Sequence, residues 1–314
     1  MTVPALAGPG AYAASLADPA VWGPLALDVC RRHRLDPGDG AVRMGAPGTF
    51  PVAVVGGRWA VKVGGPWWSG TECLGRERDA YEALAARPAL PVPRLVAAGD
   101  LGGGWRYLVL TAVAGRSLRE VPPTPAVARW LGATMAEVHA VPVPAGLEVL
   151  RPGWDGYLAW LADARAAAVG RHRGYGTLAP HLLEELAAWL PAPDDLVDRS
   201  RPAALLHGDL RADHVLVDDG GRPVAVLDWS DATVGDPRYE LGPLLDVLGG
   251  DPALLAAYLD AAGDPPPDPR SALATALLHG FDQLGDAGVD TSGAADLDDL
   301  AGRLFGAAVR RASH

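Results

Sequence analysis

Apolar and polar residues in the first part of the chain alternate in the way that short β-strands require. Two strands are predicted at 50–55 and 59–63, and the Gly56-Gly57 pair between them is typical of a hairpin turn. The other elements predicted here are helices at 18–34 and 71–86 and strands at 94–99 and 106–112. This part of the chain is therefore predicted to form a small β-rich half.

Beyond Gly115 the apolar residues recur mostly at helical spacing. One segment departs from that spacing, 204–228, where short apolar runs separated by turn residues predict strands. The predicted helices lie at about 124–140, 153–167, 179–189, 236–248, 251–262, 270–284 and 297–312. A larger, mainly helical half is therefore predicted to follow the β-rich half, which makes the chain an α+β protein.

Composition excludes several classes of function. With 314 residues, 49% of them hydrophobic, the chain is long enough for one bilobal unit or two domains. A formal net charge of −11 argues against a nucleic-acid partner and is compatible with a cationic substrate or simply with solubility. Neither a secretory signal nor a membrane-spanning segment is predicted. Cys30 and Cys73 lack any disulfide or metal spacing, which is typical of reduced, buried thiols in a cytoplasmic protein.

Lysine occurs once in this chain, although lysine and arginine together number 27. The single lysine, Lys62, lies in the strand predicted at 59–63, on the face opposite to Val61 and Val63. A compact ammonium group on a flexible stem suits a phosphate better here than a planar guanidinium does. The alternative is a solvated lysine on a strand face, and the motifs further along the chain favour a functional lysine.

The segment 204–228 carries two carboxylates at the ends of predicted strands. His207-Gly208-Asp209 follows one apolar run, and Asp228 ends another 19 residues later. This order is typical of a catalytic carboxylate that accepts a proton from a substrate hydroxyl, followed by an aspartate that holds Mg²⁺ against nucleotide phosphates. Turn formation explains each aspartate singly, but it explains the combination less well.

Three motifs together, His207-Gly208-Asp209, Leu227-Asp228-Trp229 and Gly235-Asp236-Pro237, resemble the aminoglycoside phosphotransferase family of small-molecule kinases. Scattered segments from Trp22-Gly23-Pro24-Leu25 to Leu278-His279-Gly280-Phe281 are similar to hygromycin B phosphotransferases of the streptomycete type. The resemblance therefore extends over nearly the whole chain. Its core motifs are specific for the superfamily, whereas the scattered matches only suggest the subgroup.

The resemblance implies a bilobal, protein-kinase-like α+β fold, with a nucleotide-binding lobe at 1–112 and a catalytic and substrate-binding lobe at 113–314. The implied reaction transfers the γ-phosphoryl group of ATP or GTP, with Mg²⁺, to a hydroxyl of a cationic aminoglycoside-type antibiotic, hygromycin B being the first candidate. A metabolic kinase for another sugar or nucleoside-like metabolite and a nucleotide-binding pseudokinase remain alternatives. A cytoplasmic monomer without nucleic-acid or membrane partners is favoured.

Carried over residue by residue, the resemblance assigns the nucleotide phosphates to Lys62. Glu77 on the following helix would hold this lysine in place, and Glu72 and Glu82 are weaker candidates for the same ion pair. We therefore expect a buried Lys62–Glu77 ion pair.

Two other segments match places where the family contacts the nucleotide. Gly48 and Thr49 lie in the segment that corresponds to the loop over the phosphates, although an ordinary hairpin turn explains this segment equally well. Thr111 and Val113 lie in the segment that corresponds to the hinge. Their main-chain groups would contact the adenine ring, so their side chains carry no signal.

For the chemical step, the resemblance makes Asp209 the catalytic carboxylate and Asp228 the main Mg²⁺ ligand. The family normally has asparagine five residues after the catalytic aspartate, where this chain has His214. Imidazole is an unusual ligand for Mg²⁺, which prefers oxygen. His214 could ligate the metal, Asp213 or a water could replace the amide, or metal affinity could be reduced. A structural His214 with altered metal coordination is favoured over direct ligation, and an inactive kinase is a further alternative.

Acidic residues are frequent towards the carboxyl terminus, and carboxylates suit a polycationic amino sugar. Asp282 directly follows His279-Gly280-Phe281, on a helix that the family turns toward its substrate. Asp231, three residues after Asp228, is a comparable candidate. Ordinary surface charge and turn formation are the alternatives for these two residues.

Overall fold

The computed structural model describes residues 3–46, 48–143, 153–263, 268–279 and 289–306. Its backbone divides into two compact units. The first comprises Met1–Ala85, Val92–Ala114 and Ala225–Asp231, and the second comprises Ala86–Pro91, Gly115–Val224 and Ala232–His314. These units follow spatial packing rather than a single cut in the chain, so the predicted domain boundary at residue 112 stays a prediction.

The first unit contains a five-stranded antiparallel sheet in the order β1-β2-β3-β5-β4. Its strands are β1 (Val42–Met44), β2 (Val52–Val55), β3 (Trp59–Gly64), β4 (Leu95–Gly102) and β5 (Trp105–Thr111). The predicted hairpin is present between β2 and β3, where Gly56 and Gly57 have φ angles of 55° and 65°. Glycine is needed there because a type I′ turn has positive φ at both central residues. The short β1 is absent from the sequence prediction, because three residues carry too little pattern.

Three helices accompany this sheet: α1 (Pro9–Ser15), α2 (Pro19–Arg32) and α3 (Gly70–Leu84). The start of α2 is fixed by Asp18, whose side chain accepts a hydrogen bond from the Ala20 N–H, and by the proline that follows it. Apolar residues of α2 join Val61 and Val63 of β3 in one buried core. Because strand side chains alternate, Lys62 lies on the opposite face of β3.

Beyond the five-stranded sheet and its helices, the described residues form two small sheets and further helices. In one sheet β7 (Ala204–Leu206) pairs antiparallel with β10 (Thr233–Gly235), and the other has the order β6 (Arg116–Ser117), β8 (Val215–Val217), β9 (Pro223–Val226). The helices are α4 (Pro125–His139), α5 (Gly153–Tyr175), α6 (Pro180–Trp189), α7 (Pro193–Leu196), α8 (Leu244–Val247), α9 (Pro252–Ala262), α10 (Pro269–His279) and α11 (Leu297–Leu304). Short 3₁₀ turns cover Ala212–His214 and Pro237–Leu241.

One predicted helix is wrong in its continuity. The segment 236–248 forms the 3₁₀ turn Pro237–Leu241 and then the separate helix α8. Pro243 lies between them and has no N–H to continue a helical hydrogen-bond ladder. Gly242 packs closely on Ala276: a Cβ added to Gly242 would lie 2.6 Å from the Cα of Ala276. The parts of the two last predicted helices beyond 279 and 306 lie outside the described residues.

The prediction that both cysteines are buried is confirmed. Cys30 and Cys73 are free thiols, and both are buried in the first unit. No helix among the described residues is long and apolar enough to cross a membrane.

Candidate active site

The ammonium group of Lys62 lies between two carboxylates of the first unit. Its Nζ is 2.8 Å from Oε2 of Glu77 and 2.7 Å from Oδ1 of Asp228. Lys62 and Glu77 are buried, whereas 35% of the Asp228 side chain is exposed. The ion pair predicted between Lys62 and Glu77 is thus present, and Glu82 lies instead near Arg78, at 3.8 Å.

Local backbone geometry positions these three side chains. Lys62 projects from β3 on the face opposite to the α2 core, and Glu77 lies in the middle of α3. Asp228 follows β9 with a φ of 59°, in the left-handed region that aspartate tolerates better than most residues. Such backbone conformations carry a cost and concentrate at functional sites. The conformation of Asp228 is therefore consistent with a functional residue.

Burial and charge act in opposite directions on this cluster. Burial lowers the pKa of Lys62, but Asp228 and Glu77 raise it, and the net shift is upward. Burial raises the pKa of Glu77 to about 7, although the positive charge of Lys62 lowers it in part. Lys62 therefore stays protonated at neutral pH, because its two carboxylate partners outweigh its desolvation.

Asp231, a candidate for substrate binding, lies in the same unit and is close to a cation. Arg76 of α3 reaches it at 3.5 Å with Nη2, and the Nε of Arg76 donates to the Ser230 carbonyl at 3.0 Å. Arg76 therefore ties the segment that follows Asp228 to α3, a role that nothing in the sequence indicated. Substrate binding by Asp231 stays a prediction, and Asp282 lies outside the described residues.

The segment proposed to cover the phosphates forms the connection between β1 and β2. The Gly45 N–H donates to the Val52 carbonyl at 2.8 Å, and Gly48 and Thr49 lie exposed in the connection. The structure therefore shows a hairpin connection at this place. A phosphate-binding role for Gly48 and Thr49 stays a prediction.

The hinge segment leaves one main-chain donor without a partner among the described residues. The N–H of Thr111 donates to the Arg94 carbonyl at 2.9 Å, and the N–H of Ala112 donates to the Arg58 carbonyl at 2.8 Å. In this part of the structure no hydrogen bond uses the N–H of Val113. Val113 is therefore better suited than Thr111 to donate to an adenine ring, and adenine binding by either residue stays a prediction.

In the second unit, a buried carboxylate holds the loop that carries Asp209. Oε1 of Glu240 accepts the N–H groups of His207 at 2.6 Å and Gly208 at 3.1 Å. Its other oxygen lies 2.9 Å from Nε2 of His139. Gly208 has a φ of 83°, which a side chain would disfavour. Asp209 thus follows a backbone whose direction Glu240 helps to set.

A second buried carboxylate, that of Asp246, holds the end of the same loop. It accepts the Ala212 N–H at 2.8 Å and pairs with Arg119 at 3.1 Å. Arg119 also donates to Asp213 at 3.0 Å, so Asp213 is engaged in an ion pair. Sequence reasoning missed Glu240 and Asp246. The available signal was an acidic residue within an apolar run, because a carboxylate is rarely buried without partners.

His214, which replaces the expected asparagine, contacts the main chain of the loop. Its Nδ1 lies 2.8 Å from the Asp209 carbonyl, and its ring stacks on His207 with centroids 5.8 Å apart. Since a carbonyl oxygen accepts, Nδ1 carries the proton in this contact. The geometry agrees with the structural interpretation of His214, and ligation through its other nitrogen stays a prediction.

The described side chains around Asp228 offer few ligands for a metal ion. Among the described residues no group of three or more histidine, cysteine, aspartate or glutamate side chains could hold a metal ion. Asp228 offers a partly exposed carboxylate, which is the ligand type that Mg²⁺ prefers, alongside phosphates and water. The residues present therefore fit a magnesium ion that arrives with a nucleotide better than a preformed metal centre.

Comparison with known proteins places the chain in a family. Residues 49–274, more than half of the chain, match the model of the phosphotransferase enzyme family. The chain therefore belongs to this family. The resemblance stated from the His207, Asp228 and Asp236 motifs is confirmed, and so is the α+β fold class.

Individual relatives agree with this assignment. The uncharacterized protein YcbJ of Bacillus subtilis (strain 168) is 31% identical over 147 residues, which cover 45% of each chain. Hygromycin-B 4-O-kinase of Escherichia coli is 27% identical over 179 residues, 53% of this chain and 50% of that protein. The match thus spans about half the length of each of these relatives. The crystal structure of a macrolide 2'-phosphotransferase from Brachybacterium faecium aligns with a TM-score of 0.57 and 27% identity, covering 89% of this chain and 97% of that chain.

Proposed function

We propose that this protein is an O-phosphotransferase that moves the γ-phosphoryl group of ATP or GTP to a hydroxyl of an aminoglycoside-type antibiotic. The observation that carries the proposal is the buried Lys62–Glu77 ion pair with Asp228 beside it, in a chain of the phosphotransferase enzyme family. A buried ammonium whose partners keep it charged suits nucleotide phosphates. The free, buried thiols agree with a cytoplasmic location, where such nucleotides are present.

On the nucleotide side, Lys62 binds the α- and β-phosphates while Glu77 fixes its position. The N–H of Val113 donates to the adenine or guanine ring, and the connection with Gly48 and Thr49 covers the phosphates. Asp228 would hold Mg²⁺, and the bound ion would offset negative charge on the phosphates. His214 braces the loop and leaves metal binding to Asp228.

On the acceptor side, Asp209 orients the hydroxyl and takes up its proton. A bond forms between the acceptor oxygen and the γ-phosphorus, and the bond from that phosphorus to the β,γ-bridging oxygen breaks. Because the transition state of phosphoryl transfer is loose, the proton moves late, and positioning together with charge neutralisation contributes most of the rate. Glu240 supports this step by fixing the backbone ahead of Asp209.

Hygromycin B is the first candidate acceptor, and a macrolide is the second. The first rests on the motif resemblance and on the 27% identity with hygromycin-B 4-O-kinase over half of that protein. The second rests on the 27% identity with the macrolide 2'-phosphotransferase, which extends over 97% of that chain. Asp231 and Asp282 are the proposed contacts for a cationic acceptor.

The test is a mass-spectrometric screen of the purified protein with Mg²⁺ and ATP or GTP against hygromycin B, other aminoglycosides and macrolides. A gain of one phosphoryl group on hygromycin B is expected. A gain on a macrolide alone would keep the chemistry and change the acceptor. Nucleotide binding without transfer to any compound would contradict the proposed acceptors and favour a metabolic kinase or a pseudokinase.

The same screen tests the role of Asp209. Replacing its carboxylate in Asp209→Asn is expected to lower turnover by roughly 10²–10⁴-fold, the usual range for loss of a general base. Asp219→Asn removes an exposed turn carboxylate of the same unit and serves as the matched control. Turnover of Asp209→Asn close to that of the control would contradict the assignment.

A further inference from the structure

The amino-terminal helix α1 places one tyrosine at the junction of two connections of the first unit. Tyr12 is buried, and its ring packs against the rings of Trp22, Trp67, Trp68 and Trp105 at centroid distances from 5.2 to 5.9 Å. Ser15 at the end of α1 accepts the indole N–H of Trp22 with its carbonyl at 2.9 Å, which ties α1 to α2. The position of the Tyr12 ring is therefore set by packing on several sides.

The hydroxyl of Tyr12 reaches the main chain of the β1–β2 connection and of β3. It lies 3.4 Å from the Thr49 carbonyl in the β1–β2 connection and 3.4 Å from the Val63 carbonyl, the residue after Lys62. One hydroxyl proton is shared between these two acceptors, which gives a three-centre hydrogen bond. The hydroxyl therefore links the proposed phosphate-covering connection to the strand that carries Lys62.

Electrostatics agree with this placement. Burial raises the pKa of the Tyr12 phenol well above its ordinary value, and the positive charge of Lys62 lowers it in part. The phenol thus remains a hydrogen-bond donor at neutral pH, and the charge of Lys62 acts on it directly.

Two residues with strained backbone lie close to the Tyr12 ring. Trp68 and Ser69, just before α3, have φ angles of 51° and 54°. Non-glycine residues adopt this region at a cost, and such residues concentrate at functional positions. Trp68 is 48% exposed, and its ring lies 5.2 Å from that of Tyr12. The connection from β3 to α3 therefore packs against the ring of Tyr12, and the β1–β2 connection accepts a hydrogen bond from its hydroxyl.

We propose that Tyr12 is a positioning residue for nucleotide binding: it fixes the β1–β2 connection relative to Lys62 before a nucleotide arrives. This inference rests on the proposed function, because it assumes that Gly48 and Thr49 cover the phosphates. It assigns to α1 a role in preorganising the phosphate site. Tyr12 itself does not touch the reacting atoms.

The test compares two variants that each remove one hydroxyl from the same aromatic core. Tyr12→Phe removes the contact with Thr49 and Val63. Tyr107→Phe removes the hydroxyl of an equally buried tyrosine, which lies 2.8 Å from Nε2 of His33, and serves as the matched control. Both variants keep the phenyl ring, so packing losses are small and similar.

The first readout is hydrogen exchange of the Gly45 amide in the protein without nucleotide, because this N–H donates to the Val52 carbonyl within the β1–β2 connection. Exchange is expected to speed up about three- to tenfold in Tyr12→Phe, the change that loss of one hydrogen bond gives, and to stay unchanged in Tyr107→Phe. Equal exchange in all three proteins would overturn the positioning role, whether or not the protein is a kinase.

The second readout separates an effect on nucleotide binding from an effect on acceptor binding. Tyr12→Phe is expected to raise Kd and KM for the nucleotide by about three- to tenfold and to leave KM for the acceptor unchanged. An equal effect of Tyr107→Phe would show a merely structural role and overturn the inference. Failure of the wild-type protein to bind ATP or GTP would contradict the proposed function. In that case the exchange readout would still decide whether Tyr12 holds the connection.

Discussion

A buried ammonium group is tolerated only when carboxylates compensate its charge, and Lys62 has two of them within 2.8 Å. This residue could be singled out from the sequence because it is the only lysine among 27 basic residues. Its partner Glu77 could be named from the family pattern, since both residues belong to a motif. Tyr12 could not be named, because its contacts join positions 37 and 51 residues apart that share no pattern.

Removal of the Lys62 charge should destabilise the first unit. In Lys62→Met the buried Glu77 loses its counter-charge, and breaking one partner of a buried pair costs about 3–5 kcal/mol. Urea unfolding measures this loss. The exposed pair of Arg58 with Asp36, at 2.7 Å in the same unit, provides the control, and Arg58→Met should cost less than about 1 kcal/mol. Equal losses in the two variants would contradict the interpretation of Lys62 as a buried, ion-paired residue.

At the scale of elements, the loop around Asp209 depends on elements that come later in the chain. Glu240 in the 3₁₀ turn and Asp246 in α8 accept main-chain N–H groups of the loop around Asp209. A long helix predicted over 236–248 would have offered one continuous surface. The break at Pro243 instead separates two short elements, each of which contributes one buried carboxylate to the loop.

A second contact between elements should make stability depend on pH. His172 of α5 is buried, and its two ring nitrogens lie 2.7 Å from the Thr177 hydroxyl and 2.9 Å from the Leu277 carbonyl of α10. Burial lowers the pKa of His172 from its ordinary value of 6.5. The unfolded chain therefore takes up a proton at a higher pH than the folded one, and stability should fall as the pH drops below 6.5.

Urea unfolding at pH 8 and at pH 5.5 tests this contact. Protonation of Glu77, whose pKa is raised to about 7, stabilises the folded chain over the same range, so the effect of His172 is the difference between wild type and a variant without this histidine. His172→Gln keeps a polar side chain that cannot titrate, so it should be less stable at pH 8, and the change from pH 8 to pH 5.5 should be less favourable in wild type than in this variant. The same difference in both proteins would show that other groups cause the pH dependence.

At the scale of the whole molecule, the proposed function requires that nucleotide and metal stabilise the folded chain together. A ligand that binds only the folded state adds about 2.7 kcal/mol at 100 times its Kd. ATP or GTP with Mg²⁺ should therefore raise Tm by several degrees, and EDTA should remove most of the rise. Lys62→Met should show little response. A wild-type protein whose Tm responds to neither nucleotide would contradict the assignment of Lys62 to phosphate binding.

The local sequence pattern was sufficient to predict most of the helices and strands that the structure describes. The β2–β3 hairpin follows from Gly56-Gly57 between apolar alternations, and α2 and α4 follow from capping residues and helical spacing. The family followed from the motifs around Asp209 and Asp228. These features depend on residues close together in sequence, so they can be predicted without knowledge of the fold.

Tertiary structure decided which side chains complete the candidate site. Glu240 and Asp246 acquire their roles only where folding buries them against loop N–H groups, and Tyr12 acquires its contact only where α1 meets two distant connections. His214 occupies the asparagine position in sequence, yet its hydrogen bond to the Asp209 carbonyl depends on the curvature of the loop. Sequence alone thus determined the chemistry available to this protein. Burial and long-range contacts decided which groups are charged, oriented and held in place, because those properties depend on neighbours that the sequence does not place side by side.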